Sequence, residues 1–319
     1  HIKGTKIFIS GGENDLVENI VHPVLARIDG APGGTAGISL FLVPKYRVNE
    51  DGTPGEFNHV ECTGIEEKMG IHGNATATLA LGEKGDCIGT LLGKENKGMR
   101  EMFQMMNEAR AFVGLQGLAV ASASYMYALD YARNRIQGRH LLAGKDKEAQ
   151  SVRIIEHPDV RRQLLTMKSM VEGMRSLMYY NAGCIDEAGT TDDPDEKKRF
   201  EALVEVLTPI VKGYVTDRSL EVCSHGIQVY GGYGYIGEYP VEQLMRDSRI
   251  FMIYEGTNGI QAADLLGRKL SMHGGQAFSW YLEAMRKTVE EAGQQAELAD
   301  LAEKVGQAVT RLESTADNL

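Results

Sequence analysis

Short apolar runs alternate with turn residues in the first third of the chain, and long apolar stripes with helical spacing follow. The runs Lys6–Ser10, Ile38–Val43 and Thr76–Leu81 are bounded by Gly, Asn, Asp and Pro, which predicts strands over residues 1–93. From about residue 96, a stripe recurs at alternating steps of four and three, the spacing of one helix face. Its positions are Met99, Phe103, Met106, Arg110, Val113 and Gly117. The pattern therefore predicts an α+β fold, with a β-rich domain followed by a C-terminal helical bundle.

Four further helices are predicted in the rest of the chain. Their ranges are residues 159–188, 194–224, 259–270 and 276 to the end. The polar stretch 138–157 is predicted to be a loop. We expect domain limits at residues 1–93, 94–272 and 273–319.

Composition and charge exclude several classes of protein. Of 319 residues, 43% are hydrophobic and 24% charged, which is typical of a globular protein. The net charge of -10 argues against a general nucleic-acid binder. The sequence contains no run of eighteen apolar residues, so no transmembrane segment is predicted. The four cysteines are scattered without a CxxC pair, and the histidines have no metal-ligand spacing. We therefore expect free thiols in a reducing compartment, the cytoplasm or, in a eukaryote, the mitochondrial matrix, and no metal site.

The most informative stretch of the chain lies in its last third. Residues 227–242 read IQVYGGYGYIGEYPVE, Arg246-Asp247 follows, and residues 253–261 read IYEGTNGIQ. Glu255 stands between apolar residues and a glycine. A carboxylate in an apolar surround suits a general base, and glycine lets a substrate approach closely. Taken alone, Glu255 is better explained as a surface carboxylate favoured by the dipole of the helix that begins after it.

The glycines of this stretch also spell a dinucleotide-binding fingerprint. Gly232, Gly234 and Gly237 form G-x-G-x-x-G, with an acidic residue about 20 positions further on. A Rossmann loop requires a strand before the motif and a helix directly after it. A helical pattern precedes Gly232, and Pro240 interrupts the segment after the motif, so the context argues against this interpretation.

The glycine pair, Glu-Tyr-Pro, Arg-Asp and Tyr-Glu-Gly-Thr, in this order and spacing, resemble the C-terminal catalytic segment of the acyl-CoA dehydrogenase family. The resemblance implies a middle β domain, a C-terminal four-helix bundle and FAD as cofactor. It implies that Glu255 removes the α-proton of an acyl-CoA thioester while a hydride passes from the β-carbon to flavin N5. Because the chain begins at His1 within a strand pattern, we expect a longer protein, whose first domain here is partial and whose last region is a C-terminal extension.

The same resemblance implies roles for further residues. Those expected to contact substrate are Asn107, Arg110, Tyr254 and Gly256. Those expected to contact the cofactor are Phe8, Ser10, Arg135, Gln228, Gly231, Gly232 and Thr257, of which Arg135, Gln228, Gly231 and Gly232 would serve the flavin of a neighbouring subunit. Phe8 and Ser10 replace the usual Trp-x-Thr, and Gln137-Gly138 lacks the usual aromatic residue before the glycine.

From the residues alone, structural interpretations of these positions stay open. Arg110 could extend its charged end out of the stripe, and Arg135 could only complement a helix dipole. Thr257 could be a plain N-cap, the glycine pair a plain turn, and Phe8 and Ser10 neighbours on one face of a half-buried strand.

The sequence thus predicts a flavin-dependent acyl-CoA dehydrogenase that passes electrons to an electron-transfer flavoprotein and assembles as a homodimer or a dimer of dimers. An acyl-CoA oxidase, with the same base and oxygen as acceptor, is the near alternative. A helical oligomerisation fragment without activity is the alternative of another class, and we expect the 319-residue chain alone to be inactive.

Overall fold

The computed structural model describes residues 1–318 and divides into two compact units, His1–Glu108 and Ala109–Leu319. The predicted strands lie in the first unit and the predicted bundle in the second, which confirms the α+β fold with a C-terminal helical region. The first helix, α1 (Gly98–Asn134), runs from the first unit into the second.

The first unit consists of small antiparallel sheets. The strands are β1 Gly4–Ser10, β2 Val21–Arg27, β3 Ile38–Pro44, β4 Tyr46–Val48, β5 Pro54–Phe57, β6 Val60–Ile65, β7 Thr76–Leu81 and β8 Thr90–Leu92. The strand orders of the sheets are β1–β7–β6, β2–β3–β8 and β4–β5. The buried core of this unit contains Ile2, Val43, Val60, Leu81 and Cys87.

Strand β1 is irregular where two candidate residues lie. Its register with β7 shifts between Lys6 and Ile9, and Phe8 within the shift has a φ of 61°. The side chain of Phe8 is 67% exposed and Ser10 is also exposed, while Ile9 is half-buried. The structural alternative, in which Phe8 and Ser10 are neighbours on one face of a half-buried strand, was therefore wrong, because β1 is mostly exposed and a bulge displaces the alternation of faces.

The second unit is a bundle of long helices. After α1 come α2 Pro158–Thr190, α3 Pro194–Tyr230, α4 Pro240–Ser248, α5 Asn258–Asp264, α6 Gln276–Gly293 and α7 Ala299–Asp317. Each of α2, α3 and α4 begins with a proline at a first-turn position, where its missing N–H is not needed. The core joins small residues of α1 to methionines of α2 and valines of α3. Its members include Ala121, Ala128, Ala132, Met167, Met174, Val211, Val215 and Val222.

Three local predictions differ from the structure. The segment 138–157, predicted as a loop, overlaps an antiparallel pair, β9 (Ile136–Arg139) and β10 (Ser151–Arg153). These strands are mostly exposed, so no apolar alternation marks them in the sequence. The single helix predicted from residue 276 is two helices, α6 and α7, separated at residues 294–298. The helix predicted to reach residue 270 is α-helical to Asp264 and continues as a π-helical turn, Leu265–Lys269.

Helix α1 is, among the described residues, long and apolar enough to cross a membrane by length and composition. A helix in the core of a bundle meets the same criteria. Ala121, Ala128 and Ala132 of α1 are fully buried against the other helices. The absence of a transmembrane segment stays a prediction.

Candidate active site

Glu255 lies on a tight turn between a 3₁₀ segment, Arg249–Met252, and helix α5. Two consecutive residues of this turn have left-handed backbone conformations, since φ is 53° at Glu255 and 84° at Gly256. Gly256 adopts such a conformation freely, whereas a residue with a side chain does so at a cost of about 1–3 kcal/mol. Surrounding contacts must therefore hold Glu255 in place.

Two side chains hold the main-chain carbonyl of Glu255. Arg110 of α1 donates from Nε to this oxygen at 3.3 Å, and Gln261 of α5 donates from Nε2 at 3.3 Å. Arg110 is only 5% exposed and lies 3.8 Å from Oδ2 of Asp264. The structural alternative, in which Arg110 extends its charge to solvent, was wrong, because α1 directs this guanidinium into the bundle.

A second layer holds the next residue of the turn. Lys212 of α3 is fully buried, and its Nζ donates to the carbonyl oxygen of Gly256 at 2.6 Å and to Oδ1 of Asn258 at 2.9 Å. Burial, assisted by the nearby charge of Arg110, lowers the pKa of Lys212 to about 8. Sequence reasoning did not single out Lys212, Asn258 or Gln261. The available signal was a lysine in an otherwise apolar helical stretch, Pro209–Val215.

Thr257 and Tyr254 flank the turn in different ways. The hydroxyl of Thr257 accepts from the N–H of Ile260 at 3.3 Å, so the residue is the N-cap of α5. The ring of Tyr254 stacks on Phe251 with a centroid distance of 6.1 Å, and its hydroxyl donates to Oε1 of Gln116. Burial raises the pKa of Tyr254 to about 12, which keeps the phenol protonated.

The glycine turn, Gly231 and Gly232, lies at the C-terminal end of α3. Gly231, with a φ of 64°, ends the helix, and its N–H bonds to the carbonyl of Gln228. A side chain added at Gly231 or Gly232 would meet nothing within 4 Å among the described residues. The preceding segment is helix α3 and not a strand, so the Rossmann interpretation of these glycines is wrong.

Arg135 lies beside this turn, directly after the last residue of α1. Its guanidinium stacks over the ring of Tyr233 at 5.3 Å, within the 3₁₀ segment Gly231–Tyr235. The Nε of Arg135 is buried and has no hydrogen-bond partner within residues 1–318. The structure thus brings together Arg135 and the glycine turn, and Tyr131, Tyr230 and Tyr239 pack around them.

The remaining candidates lie in the first unit. Phe8 and Ser10 are exposed on β1. Asn107 is half-buried on α1, three residues before Arg110 and therefore on a similar face of that helix.

A β-rich unit, a helical bundle, and a carboxylate on a strained turn held by buried cationic side chains define an α+β protein with a candidate active site at Glu255. A family model described as "Acyl-CoA dehydrogenase, C-terminal domain" matches residues 96–270. The chain belongs to the acyl-CoA dehydrogenase family, as the motifs around Glu255 indicated.

Relatives with known names agree with this assignment. The chain is 47% identical over 290 residues to 3-methylmercaptopropionyl-CoA dehydrogenase of Ruegeria pomeroyi, covering 90% of this chain and 48% of that protein. It is 44% identical over 304 residues to a butyryl-CoA dehydrogenase of Syntrophomonas wolfei, covering 92% and 49%. The solved structure of butyryl-CoA dehydrogenase from Megasphaera elsdenii matches with a TM-score of 0.64 at 31% identity, over 84% of this chain and 60% of that one. The chain thus spans about half the length of the curated relatives it matches.

Proposed function

We propose that the protein containing this chain is a flavin-dependent acyl-CoA dehydrogenase in which Glu255 is the general base. The observation that carries the proposal is the turn at Glu255 and Gly256, a strained main chain held by Arg110, Lys212 and Gln261. Strained backbone that is over-determined by its surroundings is typical of active sites.

The chemistry requires a carboxylate that reaches the α-carbon of a thioester. The carboxylate of Glu255 takes the α-proton, and the β-carbon loses a hydride equivalent, so that a trans α,β double bond forms. Bound FAD supplies the acceptor for that hydride equivalent. The N–H of Glu255 itself is proposed to polarise the thioester carbonyl, as a main-chain donor in an oxyanion hole. Gly256 presents no side chain to a substrate at this point.

The residues around the glycine turn fit the adenosine and pyrophosphate portion of FAD. Arg135 has a buried Nε without a partner in the described chain, and a guanidinium is well suited to pyrophosphate oxygens. Gly231 and Gly232 leave open space for a ligand, and Gln228 is exposed beside them. Phe8 and Ser10 offer an exposed flat ring and a hydroxyl suited to the isoalloxazine, and Thr257 offers its hydroxyl.

The proposed substrate contacts come from the turn and from α1. Tyr254 and Gly256 flank the base, Arg110 holds the carbonyl of Glu255 from below, and Asn107 is proposed as a polar contact to the coenzyme A portion. The proposed electron acceptor is an electron-transfer flavoprotein, and the proposed assembly is a homodimer or a dimer of dimers.

The absorption spectrum of the full-length protein tests the proposal. We expect flavin absorption that bleaches on anaerobic addition of butyryl-CoA or 3-methylmercaptopropionyl-CoA, and turnover that requires an artificial or protein acceptor. Steady oxygen consumption without an added acceptor would instead indicate an acyl-CoA oxidase. A colourless protein that binds no FAD would favour a non-catalytic oligomerisation role.

A further inference from the structure

The turn that carries Glu255 has no regular structure of its own to hold it. Glu255 and Gly256 precede the first residue of α5, and both have left-handed conformations. The bonds that Arg110 and Gln261 make to the carbonyl of Glu255 are 3.3 Å long. The shorter bond, 2.6 Å from Nζ of Lys212, is made to the carbonyl of Gly256. The strongest hold on the turn therefore comes from a residue of α3.

Lys212 and Asn258 connect this turn to α3 as one unit. Lys212 bridges the carbonyl of Gly256 and the side-chain oxygen of Asn258. The amide of Asn258 in turn donates to the carbonyl of Gly213 at 3.1 Å and to Oδ1 of Asp217 at 2.8 Å. The hydroxyl of Thr216 lies 3.0 Å from the same amide nitrogen. Every polar group of the Asn258 side chain is thus directed at α3.

A fully buried lysine is costly to keep charged, so packing alone does not explain Lys212. An apolar residue would fill the same space on α3, between Val211 and Val215, without desolvating an ammonium group. The charged groups that face Lys212 are Arg110 of α1, Asp217 of its own helix and the carboxylate of Glu255. Among the described residues, the hydrogen-bond acceptors of the Lys212 ammonium are the carbonyl of Gly256 and the side chain of Asn258. These contacts to the turn therefore account for a charged group at this buried position.

We propose that Lys212 and Asn258 form a clamp that fixes the turn and so directs the Glu255 carboxylate at the substrate. Both are positioning residues, and the inference rests on the proposed role of Glu255 as the base. A base displaced by about 1 Å loses on the order of a hundredfold in rate, which is the effect that a lost clamp would produce.

The test compares variants of the full-length, flavin-loaded protein. Lys212→Met removes the donors and retains much of the side-chain length, whereas Lys212→Gln restores a neutral donor. Asn258→Ala removes the other half of the clamp at a less buried site. It therefore tests the clamp even if Lys212→Met does not fold. Lys269→Met is the matched control, because Lys269 is a lysine only 2% exposed that pairs with Glu205 and makes no hydrogen bond to the turn in the described part of the chain.

Two readouts separate positioning from simple destabilisation. Amide hydrogen exchange is measured over residues 253–261, where the N–H groups of Tyr254 and Gln261 are bonded to main-chain carbonyls. The rate of flavin reduction by butyryl-CoA is measured in single turnovers over a range of substrate concentrations. In Lys212→Met and Asn258→Ala we expect faster exchange in this segment and a ten- to hundredfold lower limiting rate at little-changed half-saturation. Lys212→Gln should recover part of the rate, and Lys269→Met should show neither change.

The outcomes distinguish the clamp from the base. Unchanged exchange in both clamp variants would overturn the clamp, whatever the rates are. Faster exchange with an unchanged reduction rate would overturn its positioning role. If the wild-type flavin is not reduced by any acyl-CoA tested, the proposed function fails, and the exchange measurement still decides whether Lys212 holds the turn.

Discussion

Glu255 combines a chemically reactive side chain with a left-handed main chain. Its φ of 53° is shared by few residues other than glycine in this chain, and its carbonyl is bonded by two side chains from other helices. Such a conformation aims a side chain in a direction that regular helix or strand geometry does not allow. The position is therefore suited to present a carboxylate to a substrate.

We expect Glu255→Gln to abolish bleaching of the flavin by acyl-CoA while the flavin stays bound. The amide keeps the shape and most hydrogen bonds of the carboxylate but cannot accept a proton. General-base removal lowers rates by about 10² to 10⁴, and by more where no second base is present. Stopped-flow absorbance at the flavin band measures this, with Glu172→Gln, an exposed glutamate on α2, as control. Near-normal turnover in Glu255→Gln would refute the role of Glu255.

Lys212 also predicts a pH dependence of stability. Its pKa is lowered from 10.5 to about 8 in the folded protein, chiefly by burial. Between these two values the unfolded chain binds more protons than the folded one, so the contribution of Lys212 to stability becomes more favourable as pH rises from about 8 towards 10.5. Lys212→Met lacks this contribution. The free energy of unfolding of the wild type minus that of Lys212→Met should become more positive from pH 7 to pH 10 in denaturant titrations. A constant difference would contradict the lowered pKa.

At the scale of elements, α3 connects the two candidate regions. Lys212 and its contacts to the turn lie near the middle of the helix, and Gly231 ends it. The two positions are separated by about five helical turns. This separation agrees with the proposal that the base and the glycine turn serve different flavins of an oligomer.

The glycine turn offers a test that does not involve the base. Gly232→Ala adds a methyl group where no described atom beyond its chain neighbours lies within 4 Å, so the fold should tolerate it. If a cofactor approaches the main chain here, the same methyl group should weaken FAD binding about tenfold or more. Gly173→Ala on α2 is the matched control, because its added Cβ also meets nothing within 4 Å. Fluorescence titration of the apoprotein with FAD measures the effect, and equal affinity in the two variants would remove Gly232 from the proposed site.

At the scale of the whole molecule, the proposed site requires more than one copy of the protein. Arg135, Gln228 and Gly232 are proposed to contact a flavin held mainly by a neighbouring subunit. We therefore expect the flavin-loaded full-length protein to sediment as a dimer or a tetramer. A flavin-loaded monomer in sedimentation velocity would contradict the shared site.

The 319-residue chain by itself should bind FAD weakly and be inactive. It spans 48% and 49% of two curated relatives, and we expect part of the contacts to the cofactor and the acyl chain to come from the portion that it does not cover. Each lost hydrogen bond to a charged ligand is worth about 1.5–3 kcal/mol, and several together lower affinity by orders of magnitude. Calorimetric titration with FAD measures this, and stoichiometric tight binding would show that the retained residues suffice.

The sequence by itself determined the elements and the motif. Apolar spacing predicted β1, β3 and β7 and the starts of α2 and α3, because side-chain burial imposes a period on a strand or a helix. The order and spacing of the motifs around Glu255 indicated the family, which the family model over residues 96–270 confirms. The same reasoning missed β9 and β10, because exposed strands are set by pairing and carry no apolar period.

Only the tertiary structure decided how the turn is held. Arg110, Lys212 and Gln261 are separated by 102 and 49 residues in the sequence, yet they bond to two adjacent carbonyls. No local pattern records such a convergence, since the three side chains come from three different helices, α1, α3 and α5. The left-handed conformation of Glu255 is also decided by the tertiary structure. A glutamate does not adopt this conformation by preference, and contacts from α1, α3 and α5 together stabilise it.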